Sequence, residues 1–178
     1  MRYYDDFAIA LHWVLALVLV GCFCLGLYMS DLPMSPWRLR LFNWHKWVGI
    51  TILSASFVRL LWRLTHRPPA EVGMPAWQRW MARSAHGLLY LLSLSIPIAG
   101  WAYSSAAGFP IVFFGVLALP DFVPVDKALA EAIKLWHRGL AWTMALLVLA
   151  HVAAALKHQF IDRDNLLSRM GFAPRPKE

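Results

Sequence analysis

The stretch Lys134–His158, KLWHRGLAWTMALLVLAHVAAALKH, decides how the chain is read. It is long and apolar enough to cross a bilayer whose hydrocarbon core is about 30 Å thick, yet it carries His137 and His151 inside the span. The two lie fourteen residues apart. At about 100° per residue this is nearly four whole turns, so both imidazoles fall within about 40° of one face and are separated by about 21 Å of rise. One helix therefore offers two imidazoles on one stripe, one towards each side of a membrane. A histidine at membrane depth is costly unless something uses it, so each asks for a partner at its own depth.

The rest of the composition agrees with a membrane chain. Of 178 residues, 60% are hydrophobic and 15% charged, whereas soluble domains sit near 45–50% apolar. Ten Trp and five Tyr suit the aromatic belts at the two lipid–water interfaces. The net charge of +7 is no nucleic-acid signal, because the basic residues flank apolar spans and form no stripe on a soluble domain. Cys22 and Cys24 lie inside the first span. They are too few for a disulfide framework, no C-x-x-C-H haem-attachment motif exists, and they read as small buried apolar side chains. The first apolar run lacks a small-residue cleavage site, so it reads as a retained span.

The expected fold is an all-α integral membrane protein, a four-transmembrane-helix bundle in lipid, with residues 1–178 as a single domain. The spans run about 7–29, 43–64, 81–103 and 134–158. Residues 30–43, with Pro33 and Pro36, read as a loop returning to the membrane. Residues 65–78 are a Pro-rich connector, and Pro97 should kink the third span. Residues 108–119, GFPIVFFGVLAL, are apolar but too short to span and read as a re-entrant or interfacial piece. Residues 121–131 read as a polar link or a short surface helix, and residues 159–178, with Pro174 and Pro176, as a polar tail. Of the 17 Lys and Arg residues, eleven fall at the ends and loops on the terminal side: Arg2, Arg59, Arg63, Arg67, Arg79, Arg83, Lys157, Arg163, Arg169, Arg175 and Lys177. The other six are Arg38, Arg40, Lys46, Lys127, Lys134 and Arg138. By the positive-inside rule both termini face the cytoplasm.

Depth then sorts the histidines. His12 and His151 lie at the inner level, His45 and His137 at the outer one, and each pair draws on two helices. A b-type haem fits between two imidazoles in an apolar bundle, with one axial histidine on each side of its iron. Zinc wants four ligands, and neither level adds a Cys, Asp or Glu. Arg59 follows His45 by fourteen residues. It either pairs with an inner-haem propionate or snorkels to the interface. Gly49, one turn after His45, leaves room for a flat macrocycle. His86 and His158 are the unassigned histidines of the cytoplasmic side, and His66 reads as a loop residue.

LHW from Leu11, HKWVGI from His45, VRLLWRL from Val58, LWH ending at His137, HVAAALKH from His151 and DRDNLLSRM near the C-terminus together resemble the bacterial cytochrome b561 family of di-haem, four-helix quinone oxidoreductases. The resemblance covers nearly the whole chain and is nearest to the stand-alone superoxide-oxidising members. It implies two haem b groups, the inner held by His12 and His151 and the outer by His45 and His137. It also implies ubiquinone as acceptor at the cytoplasmic haem of a bacterial inner-membrane protein.

A quinone needs a hydrogen-bond donor and a proton source, and histidine serves as both. His86 and His158 are the candidates. The competing readings are a propionate or carbonyl contact for His86 and an ordinary helix-end role for His158. At the outer face Arg38, Arg40, Lys46, Lys134 and Arg138 cluster near the second haem level. Such a surface draws in small anions, and superoxide is one. The expected function is superoxide:ubiquinone oxidoreductase. Two alternatives stand beside it. One is a cytochrome b subunit linking a periplasmic dehydrogenase or hydrogenase, or another periplasmic redox protein, to the quinone pool. The other is a haem-free transporter or metal-binding membrane protein.

Overall fold

The computed structural model describes residues 3–66, 68–69, 73–164 and 166–171. The expectations for Arg2, Arg67, Arg175, Lys177 and the Pro174 and Pro176 tail lie outside the described residues. Among those described, four helices are long and apolar enough to cross a membrane. They are α1 (Asp6–Ser30), α2 (Pro36–Thr65), α3 (Ala76–Ala106) and α4 (Lys127–Lys157). Consecutive helices pack on one another, as short up-and-down connections dictate. Few large side chains are buried, among them Leu15, Leu41, Ile52, Leu92 and Met144. Leu17, Leu146, Leu149 and Val152 stand exposed on the outside, as they should where lipid is the solvent.

The helices run further than the apolar spans because caps set their ends, not hydropathy. Residues 36–43, expected in a loop, are the first two turns of α2. Pro36 sits at the first helical position, where its fixed φ and missing N–H cost nothing, and Ser35 caps it by accepting from the Arg38 amide at 3.2 Å. The loop shrinks to residues 31–35. Likewise Lys127–Glu131, expected in a polar link, is the start of α4, with Asp126 accepting from the Leu129 amide at 2.9 Å. The segment 108–119 does not re-enter the bundle as a helix. It is a hairpin, β1 (Val112–Phe113) antiparallel to β2 (Leu117–Ala118), turning through Phe114 and Gly115 at φ 49° and 74°. Gly115 takes that left-handed conformation without steric cost.

Polar ties hold both ends of the bundle. At the hairpin end, Trp47 Nε1 donates to Val112 O at 2.7 Å and Lys46 Nζ to Phe109 O at 2.9 Å. Arg38 closes the C-terminus of α1 by donating to Met29 O and Ser30 O. At the terminal end, α4 finishes in one π-helical turn, His158–Asp162. A short 3-10 turn, Leu166–Met170, then folds back, and Met170 O accepts from Trp13 Nε1 at 3.0 Å.

Asp5 caps α1 and also accepts from Trp62 Nε1 at 3.1 Å, joining α1 to α2. Slight desolvation pushes its carboxyl up, but the Ala8 amide and the Trp62 indole outweigh it and leave the carboxyl below its ordinary value. Asp5→Ala should cost about 1 kcal/mol, read as an earlier midpoint in SDS-induced unfolding. The folded-state pKa is depressed, so the contribution is fully present above the unfolded-state value of about 3.9 and is lost as pH falls through the folded one. The wild type and variant curves should converge in strong acid.

Candidate functional site

Each helix carries one pair of interior positions fourteen residues apart: His12 and Gly26 on α1, His45 and Arg59 on α2, His86 and Gly100 on α3, His137 and His151 on α4. Since fourteen residues nearly complete four turns, each pair shares a helix face. Antiparallel neighbours then sort them into two layers. The hairpin-side layer holds Gly26, His45, Gly100 and His137. The terminal-side layer holds His12, Arg59, His86 and His151. Midway, seven residues from each, lie Leu19, Ile52, Ser93 and Met144, of which Ile52, Ser93 and Met144 are buried.

The four expected ligand histidines meet in the expected pairs. The ring centres of His45 and His137 are 6.2 Å apart at 83°, and those of His12 and His151 are 6.5 Å apart at 69°. A metal–imidazole bond is about 2.0 Å long and the ring centre lies about 1.1 Å beyond the nitrogen. Two imidazoles on opposite sides of one metal therefore stand about 6.2 Å apart. Both separations fit a single metal held between the two rings.

Surrounding groups fix the hairpin-side rings. His137 Nδ1 lies 3.0 Å from Ile96 O and donates to it, and His45 Nδ1 lies 3.4 Å from Cys22 Sγ. Holding Nδ1 in this way leaves Nε2 free of these contacts, as the outer contacts of metal-bound histidines commonly do. A Cβ on Gly100 would come within 3.0 Å of His137 Cε1, and one on Gly26 within 3.2 Å of His45 Cε1. These two glycines form the walls against which the imidazoles lie. Gly49 has nothing within 4 Å of where a Cβ would stand, in keeping with the space expected there.

The terminal-side layer is built from polar groups instead. His86, at the level where Gly100 backs His137 in the other layer, packs on His151 with ring centres 5.4 Å apart. Arg59 turns inward, its guanidinium 5.6 Å from the Tyr90 ring, and lies within electrostatic reach of His12, His86 and His151. His12 Nδ1 is buried without a hydrogen-bond partner among the described residues, a condition that calls for an explanation in any native site. His158 is engaged elsewhere, 2.6 Å from Asp164. His66 stacks on Trp62 at 3.7 Å, outside the site.

Two expectations change. Cys22 is not an inert apolar filler, since it faces His45, and Cys24 is exposed on the outside of α1. The five-cation surface is also thinner than its sequence. Arg38 and Lys46 are spent on backbone carbonyls, and Lys134 pairs with Glu131 at 3.1 Å. Among the described residues, Arg40 and Arg138 are the members of that cluster that stay exposed with no hydrogen-bond or ion-pair partner. The glycine walls were the residues that sequence reasoning passed over. Their signal was there, because the fourteen-residue spacing recurs on every helix.

A sequence model of the family described as prokaryotic cytochrome b561 matches residues 3–173. Cytochrome b561 homolog 2 of Escherichia coli is 36% identical over 171 residues, covering 94% of this chain and 90% of that protein. Cytochrome b561 homolog 1 of the same organism is 31% identical over 99% of this chain and 100% of its own length. The probable superoxide oxidase CybB of Yersinia pestis is 30% identical over 94% of each chain.

Gly100→Ala should displace the His137 ring by a few tenths of an ångström and, if His137 ligates a haem, shift that haem's low-spin electron paramagnetic resonance signal. Gly139→Ala, placed in open space two residues from His137, should leave that signal unchanged. Equal spectra for the two variants would deny Gly100 its role as a wall.

Proposed function

The chain belongs to the prokaryotic cytochrome b561 family, redox-active four-helix membrane cytochromes that bind b-type haem, and from that premise we propose a two-haem superoxide:ubiquinone oxidoreductase. The observation that carries this reading is the pair of imidazole couples at 6.2 and 6.5 Å, set fourteen residues apart along α4. His45 and His137 hold one haem, and His12 and His151 the other. When bound, the haems supply one-electron centres between the two faces of the membrane. The protein supplies ligands, spacing, charge and protons.

Arg59, supported by Tyr90, is the cation for a propionate of the terminal-side haem, where its forked donors match a carboxylate. His86, packed on His151, belongs to the ligand layer. His158, seven residues beyond His151 on the same stripe, is the quinone contact and proton donor. The terminal end faces the cytoplasm of a bacterial inner membrane, as the Lys and Arg distribution supports, and the whole chain works as one domain. At the opposite face Arg138, next to His137, and Arg40 steer superoxide inward. Similarity to a protein called a probable superoxide oxidase supports this donor.

Pyridine haemochrome assay of the purified protein should give two haems per chain, and His45→Ala should give one. A superoxide pulse should reduce the haems at once, and added ubiquinone should reoxidise them. Haems that ignore superoxide would leave the ligands standing and move the search to a periplasmic protein donor. Arg138→Gln should slow reduction by superoxide roughly two- to tenfold at low ionic strength and flatten its salt dependence.

A further inference from the structure

At the terminal end α4 does not stop at its last regular turn. The backbone widens into the π-helical turn His158–Asp162 and then reverses at Arg163, which takes the left-handed conformation at φ 55°. That reversal brings Asp164 back over the helix it has just left. Its amide donates to His158 O at 3.3 Å, and its Oδ2 lies 2.6 Å from His158 Nδ1. The second carboxylate oxygen accepts from the Leu166 amide at 3.1 Å. Both side chains are well covered, 15% and 20% exposed. Asp162 also approaches Nδ1, at 3.3 Å, but it is taken by Lys157 Nζ at 2.5 Å. Its side chain is 32% exposed. One carboxylate is thus anchored on the backbone and aimed at His158, while the other answers to a lysine.

We propose that Asp164 is the positioning residue for proton delivery by His158, an inference that rests on the quinone site assigned above. Reduction of a quinone takes two electrons and two protons. The electrons would be supplied by superoxide, with haem, when bound at the two histidine couples, as the one-electron centres between the faces. Each proton leaves His158 Nε2 as an N–H bond breaks and an O–H bond forms on a quinone oxygen, and His158 is reprotonated from the aqueous side between the two transfers. Asp164 occupies Nδ1, so Nε2 is the nitrogen left for this work. The carboxylate also stabilises the imidazolium that must re-form after each transfer. The return of the chain onto α1, where Met170 O accepts from Trp13, keeps the Asp164 turn in place beside the helix end.

The test uses the haem-loaded protein, reduced with dithionite and mixed with a short-chain ubiquinone while haem reoxidation is followed. Asp164→Asn keeps an oxygen for the Leu166 amide and removes the charge. It should lower the maximal reoxidation rate about 10- to 100-fold, with the half-saturating quinone concentration and the reduced-haem spectrum unchanged. Asp164→Glu should recover part of the rate, and His158→Gln should lower it about 100-fold or more. If His158→Gln slows reoxidation while Asp164→Asn does not, the positioning role falls and the quinone site stands. If Asp164→Asn raises the half-saturating concentration and leaves the maximal rate alone, the residue acts in binding and the inference is overturned. If neither variant changes the kinetics, the assignment of His158 to the quinone falls with it.

Discussion

An imidazole in the hydrocarbon layer must be partnered, and that single demand organises the bundle. Lipid offers no hydrogen bond, so a histidine at membrane depth is kept only where protein or a bound group satisfies it. Here four histidines from three helices stand in two facing couples at iron-bridging separation. Helix length, capping and the order of packing all serve to bring α4 opposite α1 at one level and opposite α2 at the other. The fourteen-residue spacing makes this possible because it is nearly a whole number of turns. A straight helix can then address both levels with one face.

The two levels are built differently, and the difference has chemical sense. The hairpin-side couple is held by a carbonyl, a thiol and two glycine walls. Among the described residues no Lys, Arg, Asp or Glu acts on its rings, and the hairpin is bonded to α2 directly after His45. The terminal-side couple is crowded by Arg59 and His86. A cation favours a group that carries carboxylates or gains an electron. The polar layer also lies nearer the end where His158 pairs with Asp164. In the proposed reading, electron entry needs shape and weak steering, whereas quinone reduction needs charge and protons. The placement of polar groups follows that division.

Much of this was legible in the chain. Composition fixed the class, the apolar runs placed the four spans, and depth alone paired His12 with His151 and His45 with His137. Hydropathy failed where capping chemistry governs. Pro36 and Lys127 lie inside helices because Ser35 and Asp126 satisfy the first amides, and an apolar count has no sensitivity to that. The run GFPIVFFGVLAL reads the same whether it dips into lipid or folds as a hairpin, since its fate depends on the donors Lys46 and Trp47 from another helix.

By itself the sequence determined the periodic facts: which residues share a helix face, at what depth, and with what chemistry. Those follow from the geometry of one helix, which is local and nearly invariant. The tertiary structure decided which neighbour each face meets. It alone turned Cys22 towards His45 and Ile96 O towards His137, spent Arg38 and Lys46 on carbonyls, and folded Asp164 back onto His158. These contacts join residues by the rotation of one helix against another or by a single left-handed residue in a turn. Neither quantity has a period that a sequence can display.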